Sequence, residues 1–233
     1  LFLEMFDNIS GLGVIGYSRY VNGEFCEPKA VIRECFHMSY PYVFEKDGDI
    51  FMMPETSADG CIQLYKAVEF PDKWEKYEVM INVKNAVDTV FLNENCLLTS
   101  IVENSFDKTT RLERYDIISK KKYEDTFEAS QHTRGAGRIF RYNGKKIRPA
   151  QDCSGGIYGL GLIFYEIIQS DKSYSEKELF RLSYCDVENV SGKVNGVHTY
   201  AKTDTMEVID CKRKRFNPFL PYYIIRKKLF NFK

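Results

Sequence analysis

The sequence predicts an all-β protein, a β-propeller of five blades whose first blade is incomplete at the N-terminus. Two observations support this fold class. A hairpin pattern recurs four times along the chain at intervals of roughly 50 residues, about the length of one four-stranded blade. Aromatic residues make up 15% of the 233 residues, and aromatic side chains favour the half-buried surface of a sheet.

Each copy of the pattern is a short apolar strand, a turn containing Gly or Asn, and a second strand. The copies cover residues 39–53, 87–98, 137–149 and 196–210. Asp47-Gly48 and Asn143-Gly144 are strong signals for tight turns between strands. Residues 1–6 and 13–20 have the pattern of the remaining strands of a partial first blade. Helix signals are weak and confined to residues 72–77 and 171–182.

The composition excludes several function classes. Lys plus Arg equals Asp plus Glu, at 33 each, so no general electrostatic attraction to nucleic acid is expected. The seven Cys are scattered singly, which predicts reduced thiols and a cytoplasmic location. The three His have no metal-binding spacing, so we predict no metal and no cofactor. A GxSxG elbow and a phosphate-binding loop are absent from the sequence.

The chain divides into a propeller domain at residues 1–211 and a tail at residues 212–233. The tail mixes basic and bulky apolar residues. Such a segment suits peripheral contact with an anionic membrane surface. The alternative is a linker or closing segment that packs on the domain with its charges in solvent.

Polar residues near the hairpin starts are candidate site residues. In a propeller, the innermost strand of each blade lines a central channel, so residues at the starts of these strands converge although they are far apart in sequence. The candidates are His37, Ser39, Tyr40, Asp88, Arg134, Arg148, Gln151, Asp152, His198 and Tyr200.

Asp88 stands in an apolar strand start, Ala86-Val-Asp-Thr-Val90. A buried carboxylate is costly unless it is paired or hydrogen-bonded, and Arg134 or Arg148 would supply a partner. The alternative is an Asp that caps a turn by accepting from nearby backbone amides.

Glu55 follows Met52-Met53-Pro54 at the end of a strand. Apolar neighbours would raise its pKa, which is typical of a general acid. The alternatives are a solvated loop residue and the partner of an arginine.

The densest polar stretch runs from Arg148 through Gln151 and Asp152 to Gly159. Arg and Asp offer charge-assisted hydrogen bonds and Gln offers a donor and an acceptor, the groups that bind sugar hydroxyls. The alternative is a structural ion pair beside a glycine-rich loop.

Four ordered motifs carry a resemblance to a known family. They are His37 to Thr56, Phe70-Pro-Asp-Lys-Trp74, Arg134-Gly-Ala-Gly137 with Arg148 to Cys153 and Tyr158-Gly159, and His198-Thr-Tyr200 with Val208-Ile-Asp210. Together they resemble the glucosamine inositolphosphorylceramide transferase N-terminal domain family. That domain is similar to the five-bladed propellers of family 43 glycoside hydrolases.

The resemblance implies a role in glycan or glycolipid assembly, beside a glycosyltransferase domain. Its implied partners are a carbohydrate, a sugar nucleotide or a glycolipid. Family 43 hydrolases use three carboxylates, and Asp88, Glu55 and Asp152 are the candidates for catalytic residues here. However, Ser39-Tyr40-Pro41 stands where Asp-Ala-Pro is expected, and the sequence starts after the strand that bears the base in relatives. These departures argue against hydrolysis.

The predicted substrate-binding residues are His37, Tyr40, Arg134, Arg148, Gln151, Tyr158 and His198. Three functions remain open from the sequence. The first is a domain that binds or transfers a sugar in glycan or polysaccharide biosynthesis. The second is a glycoside hydrolase with paired carboxylates, and the third is a non-catalytic interaction propeller.

Overall fold

The computed structural model describes residues 1–104, 109–124, 126–128, 130–157, 159–170, 173–188 and 193–213. These residues form a succession of small sheets. The helical elements among them are single 3-10 turns at Ser57–Asp59, Ser154–Gly156 and Tyr184–Asp186. Within these ranges, no helix is long or apolar enough to cross a lipid bilayer.

Sheets 1 and 2 are antiparallel. Sheet 1 contains β1 (Phe2–Asp7) and β2 (Leu12–Tyr17). A short hairpin, β3 (Tyr20–Val21) and β4 (Glu24–Phe25), precedes the third strand of sheet 1, β5 (Lys29–Ile32). Sheet 2 contains β6 (Ser39–Lys46), β7 (Asp49–Glu55), β8 (Ile62–Glu69) and β9 (Lys73–Ile81), in that order.

Sheets 3 to 5 complete the described part of the chain. Sheet 3 contains β10 (Ala86–Asn93), β11 (Cys96–Asn104) and β12 (Thr109–Asp116). In sheet 4, β13 (Thr126–Glu128) pairs in parallel with the last strand of an antiparallel set, β14 (Phe140–Tyr142), β15 (Lys145–Asp152), β16 (Gly161–Ser170) and β17 (Ser173–Ser183). Sheet 5 contains β18 (Val194–Lys202) and β19 (Glu207–Arg213).

All four predicted hairpins are confirmed. They correspond to β6–β7, β10–β11, β14–β15 and β18–β19. Asp47-Gly48 and Asn143-Gly144 turn with positive φ at both residues, 53° and 82° in the first and 49° and 77° in the second. This conformation is the tight hairpin turn whose twist matches that of the flanking strands.

The two weak helix predictions are wrong. Residues 73–81 form β9 and residues 173–183 form β17, two strands with largely exposed side chains. Strand β19 continues to Arg213, beyond the predicted domain boundary at residue 211. The rest of the predicted tail, residues 214–233, lies outside the described residues.

Neighbouring sheets are joined by shared apolar clusters. Ile15 of sheet 1 packs in one cluster with Met52 of sheet 2, and Leu64 of sheet 2 packs with Leu97 of sheet 3. Leu98 of sheet 3 then packs with Ile167 of sheet 4. Leu162 of sheet 4 likewise shares a cluster with Val197 of sheet 5. Each sheet therefore packs on the next one along the chain.

Strand β11 is buried on both faces, because Leu97 and Leu98 point into different clusters and are 0% and 1% exposed. Replacing Leu97 by Ala should lower the free energy of unfolding by about 2–5 kcal/mol, since the cavity lies between two sheets that cannot close independently. Urea denaturation measures the change. Leu179→Ala, at a position 37% exposed, is the control and should cost less than about 1 kcal/mol. An equal loss for the two variants would contradict the shared-cluster arrangement.

Candidate functional site

A charged cluster lies where the first strands of sheets 2 and 3 begin. Asp88 is near the start of β10, and both of its carboxylate oxygens accept hydrogen bonds from Arg134. Arg134 Nε donates to Asp88 Oδ2 at 2.6 Å and Arg134 Nη2 donates to Oδ1 at 3.3 Å. Only 3% of the Asp88 side chain is exposed. Of the two partners predicted for Asp88, the structure therefore selects Arg134.

Backbone irregularities aim the side chains of this cluster. The pairing register shifts between Ser39 and Tyr42 in β6 and between Val87 and Val90 in β10. At these bulges, Tyr40 and Asp88 have φ values of 49° and 53°. Positive φ is costly for residues with a side chain and is found where the surrounding structure imposes it, often at functional sites.

Glu55 ends β7, opposite Ser39 at the start of β6. Burial and the nearby Asp88 carboxylate raise the pKa of Glu55 to about 7, although Arg134 and hydrogen bonds from the Asp88 N–H and the Ser39 hydroxyl favour the ionised form. The Glu55 carboxyl group therefore exchanges its proton near neutral pH. This is the protonation behaviour predicted from its apolar neighbours, and it allows the carboxyl group to donate or accept a proton.

Tyr40 and Gly135 close the buried side of the cluster. A Cβ on Gly135 would lie 2.8 Å from Asp88 Cβ and 3.3 Å from the Tyr40 hydroxyl oxygen, so only glycine fits beside these two residues. Burial, followed by the Asp88 charge, raises the pKa of Tyr40 well above its usual value. The Tyr40 phenol is therefore neutral.

Gln151 supports the backbone on which Arg134 stands. Its side-chain amide donates to the Gly135 carbonyl at 2.7 Å, and its backbone N–H donates to the Arg134 carbonyl at 3.0 Å. Gln151 is 1% exposed. We therefore assign it a role in positioning Arg134, in place of the predicted direct contact with substrate.

Arg148 is a structural residue, which corrects the predicted sugar contact. Its guanidinium donates to both oxygens of Glu176, with Nε at 2.5 Å and Nη2 at 2.9 Å, and Nη2 also donates to the His132 carbonyl at 2.9 Å. Both side chains of the ion pair are at most 2% exposed. A group this deeply buried has no surface to offer a sugar.

Asp152 belongs to a different cluster. It accepts from the Ser154 N–H at 2.9 Å and from Arg181 at 3.3 Å, and it lies 3.9 Å from His132 Nδ1. Burial opposes its charge, but the Ser154 hydrogen bonds and the charges of His132 and Arg181 hold its pKa below the usual value. Asp152 is thus an ionised carboxylate that caps the 154–156 turn, and the structure does not bring it together with Glu55 and Asp88.

The remaining predicted residues lie apart. His37 Nδ1 accepts from the Gly13 N–H at 2.8 Å and its Nε2 lies 3.5 Å from Glu4 Oε1, which ties sheet 1 to the start of sheet 2. His198 pairs with Asp210, with Nδ1 and Oδ2 3.0 Å apart. Tyr158 lies outside the described residues.

Sequence reasoning missed Glu176, Gly135 and Asp210 as partners of the predicted residues. Asp210 stood in a quoted motif, and Gly135 follows Arg134 directly, so both had a signal in the sequence. Glu176 had none, because its stretch has no motif and was predicted to be helical.

The described residues were also searched for metal-binding groups and for cavities. Among the described residues, no group of three or more His, Cys, Asp and Glu is arranged to hold a metal ion. A cavity of about 500 Å³ lies beside β12 and residues 122–133, and none of the predicted site residues lines it. The Glu55–Asp88–Arg134 cluster therefore lies apart from this cavity.

Residues 1–203 match the family described as glucosamine inositolphosphorylceramide transferase 1, N-terminal. The relative glucosamine inositolphosphorylceramide transferase 1 from Arabidopsis thaliana is 32% identical over 194 residues, which cover 77% of this chain and 25% of that protein. The protein of the same name from Oryza sativa subsp. indica is 32% identical over 146 residues, 58% of this chain and 19% of the relative. The chain thus spans a quarter or less of the length of these relatives.

A solved structure shows the same fold. The α-L-arabinofuranosidase from Lactobacillus brevis superposes with a TM-score of 0.52 over 93% of this chain and 82% of the enzyme, at 11% sequence identity. At this identity the likeness concerns the fold alone. It confirms the all-β, propeller-type arrangement of small antiparallel sheets.

The pKa of Glu55 predicts a pH-dependent stability. In the folded chain it is raised from 4.5 to about 7, so the folded state holds the proton more tightly and loses stability as pH rises through this window. Glu55→Gln removes this loss, so the variant should gain up to about 3 kcal/mol relative to wild type between pH 4.5 and pH 8. Urea denaturation at both pH values measures the gain. Glu45→Gln, at an exposed position of β6, is the control, and an equal response of both variants would refute the raised pKa.

The buried ion pair predicts a loss of stability for Arg148→Ala. Glu176 would remain buried and charged without its partner, which should cost about 3–5 kcal/mol of unfolding free energy. Arg141→Ala, at an exposed position of β14 in the same sheet, should change stability by less than about 0.5 kcal/mol. Chemical denaturation compares the two. Wild-type stability of the Arg148→Ala variant would contradict the structural role of Arg148, and the predicted sugar contact would stand again.

Proposed function

We propose a sugar-binding role in glycan or polysaccharide biosynthesis for this chain, which belongs to the glucosamine inositolphosphorylceramide transferase 1 N-terminal family. In this proposal the five sheets are the blades of a five-bladed propeller, and sheet 1 is the incomplete first blade. The observation that carries the proposal is the convergence of Glu55, Asp88 and Arg134 beside the bulged starts of β6 and β10.

The chemistry of the cluster suits a polyhydroxylated ligand. Glu55 both donates and accepts around neutral pH, and the Ser39 hydroxyl does the same. The Arg134 guanidinium is fixed by its bidentate bond to Asp88, which holds the charged side of the cluster in place. Sugar hydroxyls need donors and acceptors at fixed positions, and this arrangement provides both.

The family name supports the choice of ligand class. The relatives in Arabidopsis and rice are named as transferases that act with glucosamine and inositolphosphorylceramide. From these names we propose that the ligand of the present chain is a glycolipid or a sugar nucleotide. We also propose that the chain acts beside a glycosyltransferase domain. Contact of the basic and apolar tail at residues 212–233 with an anionic membrane belongs to the same proposal.

Hydrolysis with paired carboxylates is the second candidate, favoured by the arabinofuranosidase-like fold and by the protonated Glu55. It requires a second carboxylate that acts as base or nucleophile. Both Asp88 oxygens bind Arg134, and Asp152 bonds to Arg181 and Ser154. The geometry therefore favours binding or transfer.

The test is a calorimetric binding screen of the 233-residue chain with glucosamine, myo-inositol and UDP-glucosamine. We expect at least one probe to bind with a Kd below about 1 mM, which corresponds to about −4 kcal/mol. Arg134→Gln combined with Asp88→Asn removes both charges and leaves no buried charge unpaired, so the fold should survive. This double variant should bind at least about tenfold more weakly, a loss of about 1.4 kcal/mol.

Arg141→Gln combined with Asp204→Asn removes the same charges from exposed positions and is the control for the binding screen. Urea denaturation confirms that both double variants are folded. If the folded double variant of Asp88 and Arg134 binds with wild-type affinity, the ligand does not bind at the cluster. Release of p-nitrophenol from its α-L-arabinofuranoside by wild type but not by Glu55→Gln would favour the hydrolase.

A further inference from the structure

A donor and an acceptor face each other between sheets 1 and 2. His37 lies two residues before β6 of sheet 2, and Glu4 lies on β1 of sheet 1. His37 Nε2 is 3.5 Å from Glu4 Oε1, and 41% of the His37 side chain and 37% of the Glu4 side chain are exposed. Both groups are therefore accessible to a ligand at the junction of the two sheets.

Gly13 of β2 allows the two side chains to approach each other. A Cβ on Gly13 would lie 2.7 Å from Glu4 Oε1 and 2.7 Å from His37 Cε1, so both groups lie directly against the glycine. The Gly13 N–H donates to His37 Nδ1 at 2.8 Å, and the Met38 N–H donates to the Gly13 carbonyl at 3.0 Å. The backbone of sheet 1 therefore holds the His37 ring in one orientation.

The hydrogen bond from Gly13 decides which ring nitrogen carries the hydrogen. Nδ1 accepts this bond, so the hydrogen of the neutral ring is on Nε2, which faces Glu4. The separation of 3.5 Å is longer than an ordinary N–H···O hydrogen bond of roughly 2.7–3.2 Å. A hydroxyl group beside both atoms would accept from Nε2–H and donate to the Glu4 carboxylate.

Ser39 links this pair to the candidate site. Met38 is 0% exposed, whereas its neighbours His37 and Ser39 are partly exposed, so these two side chains lie on the same side of the chain. Two residues of chain span at most about 7 Å. Ser39 pairs with Glu55, and its hydroxyl hydrogen-bonds to the Glu55 carboxyl group. The Glu4–His37 pair therefore lies next to the Glu55 side of the site.

We propose that Glu4 and His37 bind one hydroxyl group of the ligand, which accepts from His37 Nε2–H and donates to Glu4 Oε1. This inference rests on the proposed function and narrows its ligand. A hydroxyl group satisfies both partners, whereas the charge of Glu4 repels a phosphate group. The part of the ligand that lies at the junction of sheets 1 and 2 is therefore a neutral polyol ring.

The tautomer of His37 tests the pair without any ligand. Long-range ¹⁵N–¹H correlation spectra at pH 8 distinguish the two neutral forms, and His37→Gln assigns the signal among the three histidines. We expect the Nε2–H form in wild type and in Glu4→Ala, because the Gly13 N–H fixes it in both. An Nδ1–H form in wild type would overturn the proposal, since Nε2 would then have no hydrogen to donate.

Calorimetry with myo-inositol tests the role of the pair in binding. Glu4→Ala and His37→Ala should each weaken binding at least about tenfold. His37→Gln should restore part of the affinity, because its amide oxygen can accept from the Gly13 N–H while its NH₂ donates to the ligand. Glu24→Ala, at an exposed position of β4, is the control and should keep wild-type affinity. Urea denaturation confirms that each variant is folded.

Inorganic phosphate tests the ligand class in the same assay. Phosphate should bind Glu4→Ala no more weakly than it binds wild type, because the variant lacks the repelling charge. Weaker phosphate binding by Glu4→Ala would contradict the preference for a neutral hydroxyl group.

The outcomes separate this pair from the proposed function. Wild-type affinity for myo-inositol in folded Glu4→Ala or His37→Ala would refute the pair and leave the proposed function standing. The same holds if wild type binds glucosamine or UDP-glucosamine but not myo-inositol. If the double variant of Asp88 and Arg134 keeps its affinity while Glu4→Ala loses it, the pair stands and the cluster is not the site. If wild type binds none of these probes, both proposals fail.

Discussion

The ion pair between Asp88 and Arg134 is the constraint on which the site depends. A carboxylate that is 3% exposed is costly to bury, and the bidentate guanidinium offsets this cost. The pair also fixes the strained backbone at Asp88 and requires glycine at position 135, because any side chain there would meet Asp88. The proton on Glu55 follows from the same pair, since the Asp88 charge helps to raise its pKa.

The packing of the sheets holds the strained backbone at Asp88 in place. Sheets 2, 3 and 4 each bury side chains in two clusters that they share with different neighbours, so no sheet can shift without disturbing two interfaces. Bulges interrupt the backbone pairing of β6, β10 and β18 locally, and residues on either side of each bulge stay paired. The rest of each strand is fixed by its apolar face, which is how a scaffold can hold residues in unfavourable conformations.

Turn chemistry and apolar runs made the inner hairpins predictable from the sequence. Asp47-Gly48 and Asn143-Gly144 need positive φ, which few residue pairs tolerate. Strand β9 and the first half of β17 were not predictable, because their side chains largely face solvent and show no clean alternation. That error also explains the mistaken role of Arg148. Its partner Glu176 lies in β17, so a stretch taken as helical concealed the buried ion pair.

The charge pairing of the carboxylates supports the proposed role in binding or transfer over hydrolysis with two carboxylates. Asp88 is tied to Arg134 through both oxygens, and Asp152 is held in a separate cluster by Arg181 and Ser154. Burial and the Asp88 charge raise the pKa of Glu55 to about 7, so its proton is exchangeable near neutral pH. A single such acid can donate to an oxygen of a ligand, but it cannot also supply the opposing base or nucleophile that glycoside hydrolysis requires.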